Sequence, residues 1–341
     1  MGRFLLITTG GTIASTAEKG GFAAGLNGAE LLKTLPPVPE AEKLTLFDLF
    51  CIPSPQIGPA QWLELAQCIA SRGADFDGVA VLHGTDTMAY TAAALSFLLL
   101  DFQKPVVLTG AMRAPSEENA DGPKNISDAL RTLDALARHG HSGVWLTFGG
   151  RILCASCLKK RSWRSMQGFE TPALPLMGSV SANGAVLDAS ALERMKRRIP
   201  QGFCLKRELN PRVMGLVIHP GLTREMLLNA LNMADAFVLE SYGSGGGPAE
   251  GNCEILSFLD AAREGGKPVV NVTPCAKDGM RLTRYHNGVR AAERGMISGG
   301  AMTFEAALVK TMWLLPRVAP IEEFARAMTR SFCGECAEER R

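Results

Sequence analysis

Arg3-Phe4-Leu5-Leu6-Ile7-Thr8-Thr9-Gly10-Gly11-Thr12-Ile13-Ala14-Ser15 decides the fold. Phe4 to Ile7 is a short unbroken apolar run, the pattern of a strand buried on both faces. Gly10-Gly11 ends it and lets the backbone turn sharply or lie against a ligand. Thr12 follows at once, where open α/β sheets place their binding crevice. On its own the stretch also fits a strand closed by a glycine turn whose threonines satisfy nearby backbone groups. A second stretch of the same design is Gly78-Val79-Ala80-Val81-Leu82-His83-Gly84-Thr85-Asp86-Thr87, followed by a helix-like apolar run from Ala92 to Leu100. Thr85, Asp86 or Thr87 is the candidate N-cap of that helix. Two such strand ends can bring two hydroxyls and a carboxylate to one sheet edge.

Strand and helix patterns alternate outward from these stretches. Strands are predicted over Leu44–Phe50, Val106–Leu108 and Val144–Phe148, with helices from about Pro59 to Ser71 and Asn125 to Ala137. This is the signature of a doubly wound, mostly parallel sheet. Gly149-Gly150 turns the chain into a hairpin arm that leads to Lys159-Lys160. Gly178 to Leu187 reads as closing strands. The pattern restarts at Val213, with strands to Ile218, over Ala236–Leu239 and Pro268–Val272, and a late helix capped by Thr303. The predicted organisation is α/β in two domains, a larger N-terminal one (1–190) and a smaller C-terminal one (213–341), joined by a charged, irregular linker (191–212). Thr16 to Asn27 lacks a clear period and reads as a mobile loop.

Composition narrows the function classes. Thirty-six Lys plus Arg against 34 Asp plus Glu leave no bulk charge to attract nucleic acid. The basic run Lys159-Lys160-Arg161-Ser162-Trp163-Arg164 reads by default as a solvated face. The longest apolar stretch, Ala92 to Leu100, falls far short of a membrane span of roughly 20 residues. No secretory signal is expected, because the first apolar run is cut short by glycines. Nine cysteines, an odd count, fit reduced thiols in a cytoplasm. The pairs Cys154/Cys157 and Cys333/Cys336 have half-site spacing for zinc, but no histidine is spaced to join them, so no metal is expected.

TTGGTIAS (residues 8–15) and LHGTDTMAYTA (residues 82–92) resemble the two signature motifs of the L-asparaginase/glutaminase family. The resemblance continues through Thr109–Met112, Ala120–Asn125, Glu240–Gly245 and Gly295–Lys310, and so covers nearly the whole chain. It is nearest to the cytoplasmic type I asparaginases. The resemblance implies hydrolysis of L-asparagine, with glutamine as the second substrate candidate, no cofactor, and a homodimer or homotetramer. It implies catalytic roles for Thr12, Thr85, Asp86 and Lys160, with Lys159 competing one register away. Ser54, Gly11 and Ala111, with Thr85 and Asp86, are the implied substrate-binding residues. Phe22 aligns with a lid position where many members carry tyrosine, and can exclude water without relaying a proton. Pro55 replaces the usual Gln or Ser. Gly246 and Ala301 stand where members often have Asn and Asp.

The chemistry fits these residues. A threonine hydroxyl is too weak an acid to attack a carboxamide unaided, so a base must sit within hydrogen-bond reach. No convincing Ser-His-Asp set exists, because His83 precedes the Gly-Thr-Asp turn and is expected to pack inside. Thr12 is the expected nucleophile and Thr85 its rival. Two alternatives stand beside this reading. One is the ammonia-releasing subunit of a tRNA-dependent amidotransferase, whose type carries an N-terminal extension not expected here because the first strand begins near residue 3. The other is a catalytically silent amino-acid-binding protein, suggested by Phe22, Pro55 and Gly246. A dinucleotide-binding protein is disfavoured, since the first turn lacks G-x-G-x-x-G.

Overall fold

The computed structural model describes residues 2–18, 21–24, 29–30, 41–195 and 199–336. Two compact units emerge, one of residues 1–199 and 205–207, the other of residues 200–204 and 208–341. The stretch predicted as a linker therefore contributes to both units, and it begins inside a short helix, Ala189–Arg194. Asp188 caps that helix by accepting from the Ser190 and Ala191 amides.

In the first unit the strands are β1 (Gly2–Thr8), β2 (Ser15–Glu18), β3 (Gly21–Ala24), β4 (Ala41–Asp48), β5 (Gly78–Leu82), β6 (Pro105–Thr109), β7 (Gly143–Phe148), β8 (Arg151–Cys154), β9 (Lys159–Lys160), β10 (Phe169–Glu170), β11 (Gly178–Ser181) and β12 (Gly184–Leu187). Helices α1 (Pro59–Arg72), α2 (Met88–Leu98), α3 (Gly122–Arg138) and α4 (Ala189–Arg194) lie between them. The main sheet runs β12-β11-β8-β7-β6-β5-β1-β4. From β4 through β7 every pairing is parallel. The apolar runs read from sequence are the central strands, and β5 and β6 are buried at every position. Ile126, Leu130, Leu133 and Leu136 of α3 pack on Phe4, Leu6, Leu82 and Val107. Helix α2 is buried almost all round, as an apolar helix without a polar face must be.

Strand order fixes where a ligand can enter. The chain leaves β1 for β4 on one side, then returns to place β5 on the other. The carboxyl ends of β1 and β5 therefore flank a topological switch point, the crevice where open α/β sheets bind ligands. Thr12 follows β1 and Thr85 follows β5.

Within the predicted loop Thr16 to Asn27, the described residues 16–18 and 21–24 correct the sequence reading. β2 and β3 pair antiparallel, with Ala17 opposite Phe22, so these residues are paired strands. Their Ser, Thr, Ala and Gly residues carry no apolar alternation, which is why the pairing left no sequence period. The Phe22 lid assignment concerns a side chain outside the described residues.

The second unit is a parallel four-stranded sheet, β13 (Val213–Val217), β14 (Ala236–Glu240), β15 (Val269–Val272) and β16 (Met296–Ser298), in that order. Its helices are α5 (Arg224–Ala230), α6 (Leu256–Glu264), α7 (His286–Glu293), α8 (Phe304–Leu314) and α9 (Ile321–Thr329). Thr303 caps α8 as predicted, its hydroxyl accepting from the Ala306 amide. Lys310 of α8 is fully buried and pairs with the equally buried Glu335 at 2.6 Å. Its ammonium also donates to the Met328 and Arg330 carbonyls, closing the end of α9.

Candidate active site

Two glycines bring the strand ends together. Gly11 adopts φ +86°, and a Cβ there would stand 2.3 Å from Gly84 Cα and 2.5 Å from Gly84 N. The turns carrying Thr12 and Thr85 thus touch through their backbones, an approach only glycine permits. Gly84 also presses on Ser54, where an added Cβ would lie 2.7 Å from both Ser54 Cβ and Oγ. Ser54 is buried at the start of a single 3-10 turn, Ser54–Gln56. Its carbonyl accepts from the Thr87 hydroxyl at 2.7 Å. Thr87 occupies the N-cap position of α2 but makes no side-chain cap, because its hydroxyl is turned to Ser54 instead.

Lys160 reaches this point from β9, which pairs antiparallel with β10. Its Nζ donates to Thr85 Oγ1 at 2.7 Å and to Asp86 Oδ1 at 2.7 Å. Successive strand residues point to opposite faces, so the register that aims Lys160 at Thr85 turns Lys159 away. Thr85 is buried, the Lys160 side chain is 18% exposed, and the Asp86 side chain is 65% exposed. The lysine–hydroxyl contact is thus largely shielded, while most of the carboxylate faces solvent.

His83 packs inside, as predicted, and holds the turn from beneath. Its Nδ1 lies 2.7 Å from the Gly84 carbonyl and its Nε2 lies 2.9 Å from Thr91 Oγ1. Trp62 Nε1 donates to the same Thr91 oxygen at 3.0 Å. The chain of donors runs Trp62 to Thr91 to His83 Nε2, and His83 Nδ1–H then donates to Gly84. This requires a neutral imidazole, and burial lowers the His83 pKa to about 4 despite the Gly84 bond.

The remaining predicted residue, Ala111, follows β6 and is buried. Gly110 before it lies against the His83 carbonyl, where a Cβ would come within 2.3 Å. A Cβ at Gly122 would lie 3.1 Å from Ile13 Cγ1 and 3.6 Å from Ala111 Cβ. Ala111 therefore sits among the neighbours of both threonines. Sequence reasoning passed over Asp121 and Asn125, which hold this loop. The signals were the Ala120–Asn125 stretch of the family resemblance and the turn-forming Ala120-Asp121-Gly122-Pro123 before a helix, neither of which assigned these two side chains a task.

Fold and site together define a two-unit α/β protein in which a lysine, a buried threonine hydroxyl and a carboxylate meet at the switch point of the larger sheet. The family model described as "Asparaginase, N-terminal" matches residues 3–192, and "Glutaminase/Asparaginase C-terminal domain" matches residues 212–328. The chain belongs to the asparaginase family. It is 36% identical to the L-asparaginase of Thermococcus kodakarensis over 98% of both chains. Identity is 31% to L-asparaginase 1 of Escherichia coli K12, over 96% of both. The solved thermostable L-asparaginase of T. kodakarensis superposes with a TM-score of 0.85, covering 98% of this chain and 99% of that one at 34% identity.

Proposed function

We propose that the chain hydrolyses L-asparagine to L-aspartate and ammonia through an acyl-threonine intermediate. The family, and relatives named L-asparaginase over nearly their whole length, support this reading. The observation that carries it is Lys160 Nζ lying 2.7 Å from both Thr85 Oγ1 and Asp86 Oδ1.

Thr12 Oγ1 attacks the side-chain carbonyl carbon, and the Thr85 N–H stabilises the oxyanion. Lys160 moves protons through the Thr85 hydroxyl across their 2.7 Å contact. Thr85 is then able to take the Thr12 proton and pass it on. The C–N bond breaks, the departing amine receives that proton, and ammonia leaves. Water then cleaves the ester, returning its proton to Thr12 by the same route. Asp86 holds Lys160 and receives the substrate α-ammonium with its solvent-facing surface, while Ser54 takes the α-carboxylate. The Gly11 and Ala111 backbones line the scissile group.

The test is ammonia release from L-asparagine, L-glutamine and their D-forms. Thr12→Ala and Lys160→Ala should each lower kcat by about 10²–10⁴-fold with the circular dichroism spectrum unchanged. Retained turnover in either variant removes that residue from the mechanism. Nine free thiols and no helix among the described residues fit to cross a membrane agree with a cytoplasmic enzyme. Assembly as at least a dimer is checked by sedimentation.

A further inference from the structure

The carboxylate at the start of α3 does not serve its own helix. Asp121 occupies the N-cap position yet makes no side-chain cap. Its oxygens instead accept from the Met112 amide at 3.1 and 3.0 Å and from the Arg113 amide at 3.0 Å. A fourth contact comes from Asn125 Nδ2, at 3.0 Å from Asp121 Oδ2. Asn125 is itself buried, and the same Nδ2 donates to the Gly110 carbonyl at 2.9 Å. Asn125 Oδ1 accepts from the Gly149 amide at 3.2 Å, tying in the turn after β7. Ala111 is thus bracketed on both sides, Gly110 being held by Asn125 and Met112 by Asp121.

A helix N-cap carboxylate normally satisfies amides of its own first turn, and giving that up costs helix stability. The diversion is therefore informative. Everything it fixes converges on one peptide. Ala111 has a methyl side chain, so its backbone carbonyl is the one acceptor it offers a ligand. Gly110 rests on the His83 carbonyl and Gly122 rests on Ile13 and Ala111, so this peptide lies between the neighbours of Thr85 and Thr12. A cleft lined by Ile13, Arg113, Gly122 and Ile126 opens beside it.

We propose that Asp121, braced by Asn125, is a positioning residue that aims the Ala111 carbonyl at the leaving –NH2 of the substrate carboxamide. The proposal rests on the amidohydrolase reading above and adds a specific task within it. An amide nitrogen must turn its lone pair toward the incoming proton before ammonia can leave. A carbonyl that accepts one of its N–H bonds fixes that rotation. An ester leaving group has no N–H and gains nothing from the same carbonyl.

That difference supplies the test. The β-methyl ester of L-aspartate forms the same acyl-enzyme as L-asparagine but releases methanol. Asp121→Asn replaces one acceptor oxygen by an NH2 that must face amide donors. kcat/KM should fall about 10- to 100-fold for asparagine, the effect of one misaligned hydrogen bond, and change less than about threefold for the ester. The ratio of the two substrates is independent of how much enzyme is folded. Asp121→Ser, which keeps a capping oxygen and so favours α3, should shift that ratio the same way. Equal losses for amide and ester in both variants would mean a merely structural role and overturn the proposal. A wild-type enzyme that releases no ammonia from asparagine would instead remove the underlying functional reading.

Discussion

Gly84→Ala is the sharpest perturbation of the idea that two strand-end turns must touch. The new Cβ would stand 2.7 Å from Ser54 Cβ and Oγ and 3.1 Å from Gly11 Cα, where ordinary contact begins at 3.4 Å. The Ser54 backbone is not free to retreat. The Ser54 carbonyl is held by the Thr87 hydroxyl at 2.7 Å and by the Ile57 amide at 2.9 Å. Gly84 itself is held by His83 at 2.7 Å. Relief therefore requires the Gly84–Thr85 turn to part from Ser54 or from Gly11 by roughly 0.7 Å, at an overpacking cost of about 1–3 kcal/mol. A shift approaching 1 Å at a catalytic group lowers turnover by about 10²-fold. The expected outcome is a kcat/KM for asparagine about 10- to 100-fold below wild type in a folded protein, measured by ammonia release beside urea denaturation. Ser54→Gly removes both atoms that the new methyl group strikes first. The double variant should then be no slower than Ser54→Gly alone, a coupling read from the mutant cycle. Activity of Gly84→Ala within about threefold of wild type would refute the reasoning, because the turns would then have room that their geometry denies.

Further predictions concern stability. Burial alone would lower the Lys310 pKa and raise that of Glu335, but their mutual attraction reverses both shifts. Removing one partner strands a buried charge, so Glu335→Ala should cost about 3–5 kcal/mol in urea unfolding of the second unit; a loss below about 1 kcal/mol would show that Lys310 finds relief elsewhere. The lowered pKa of His83 means that the unfolded chain binds a proton near pH 6.5 while the folded chain resists it to about pH 4. Its contribution is fully present above the unfolded pKa and is lost as pH falls toward the folded one, about 3 kcal/mol across that window. In His83→Gln the acid limb of stability against pH should be shallower by one proton; an unchanged limb would place the acid sensitivity elsewhere.

The central strands and their glycine turns were legible because apolar runs and Gly-Gly punctuation are local signals. β1, β5, β6 and β7 lie where the sequence places them, and the hairpin arm leads to Lys160. Most of what escaped depends on partners distant in sequence. α7, α9 and β16 are short and went unread, although α9 carries a local signal in Glu322 and Glu323 of its first turn and in the helical spacing of its buried Phe324, Ala327 and Met328. Lys310 drew no structural reading of its own, because its partner Glu335 lies 25 residues further on. Thr87 was one of three N-cap candidates for α2 and occupies that position, but its hydroxyl serves Ser54, 33 residues away. Asp121 likewise stood at a helix start, and nothing nearby announced that it would turn to Met112 and Arg113.

These diversions share a direction, and it is informative about function. At Thr87 and Asp121, a residue suited to capping its own helix instead spends its side chain on the turn of another strand. The beneficiaries are Ser54 and the bracket around Ala111, both beside the switch-point crevice. Local helix stability is given up where crevice geometry is gained, a trade that packing alone does not require. The exposure gradient points the same way. Thr85 is buried with Lys160 at 2.7 Å, whereas Asp86, one residue on, keeps 65% of its side chain in solvent. A proton relay benefits from exclusion of water, since its hydrogen bonds strengthen at low dielectric. Under the proposed mechanism the Asp86 carboxylate captures a substrate ammonium, and for that it has to meet solvent first. One turn of chain meets both demands because its adjacent residues face different environments, and the glycine before it lets the whole turn lie against the opposing strand end.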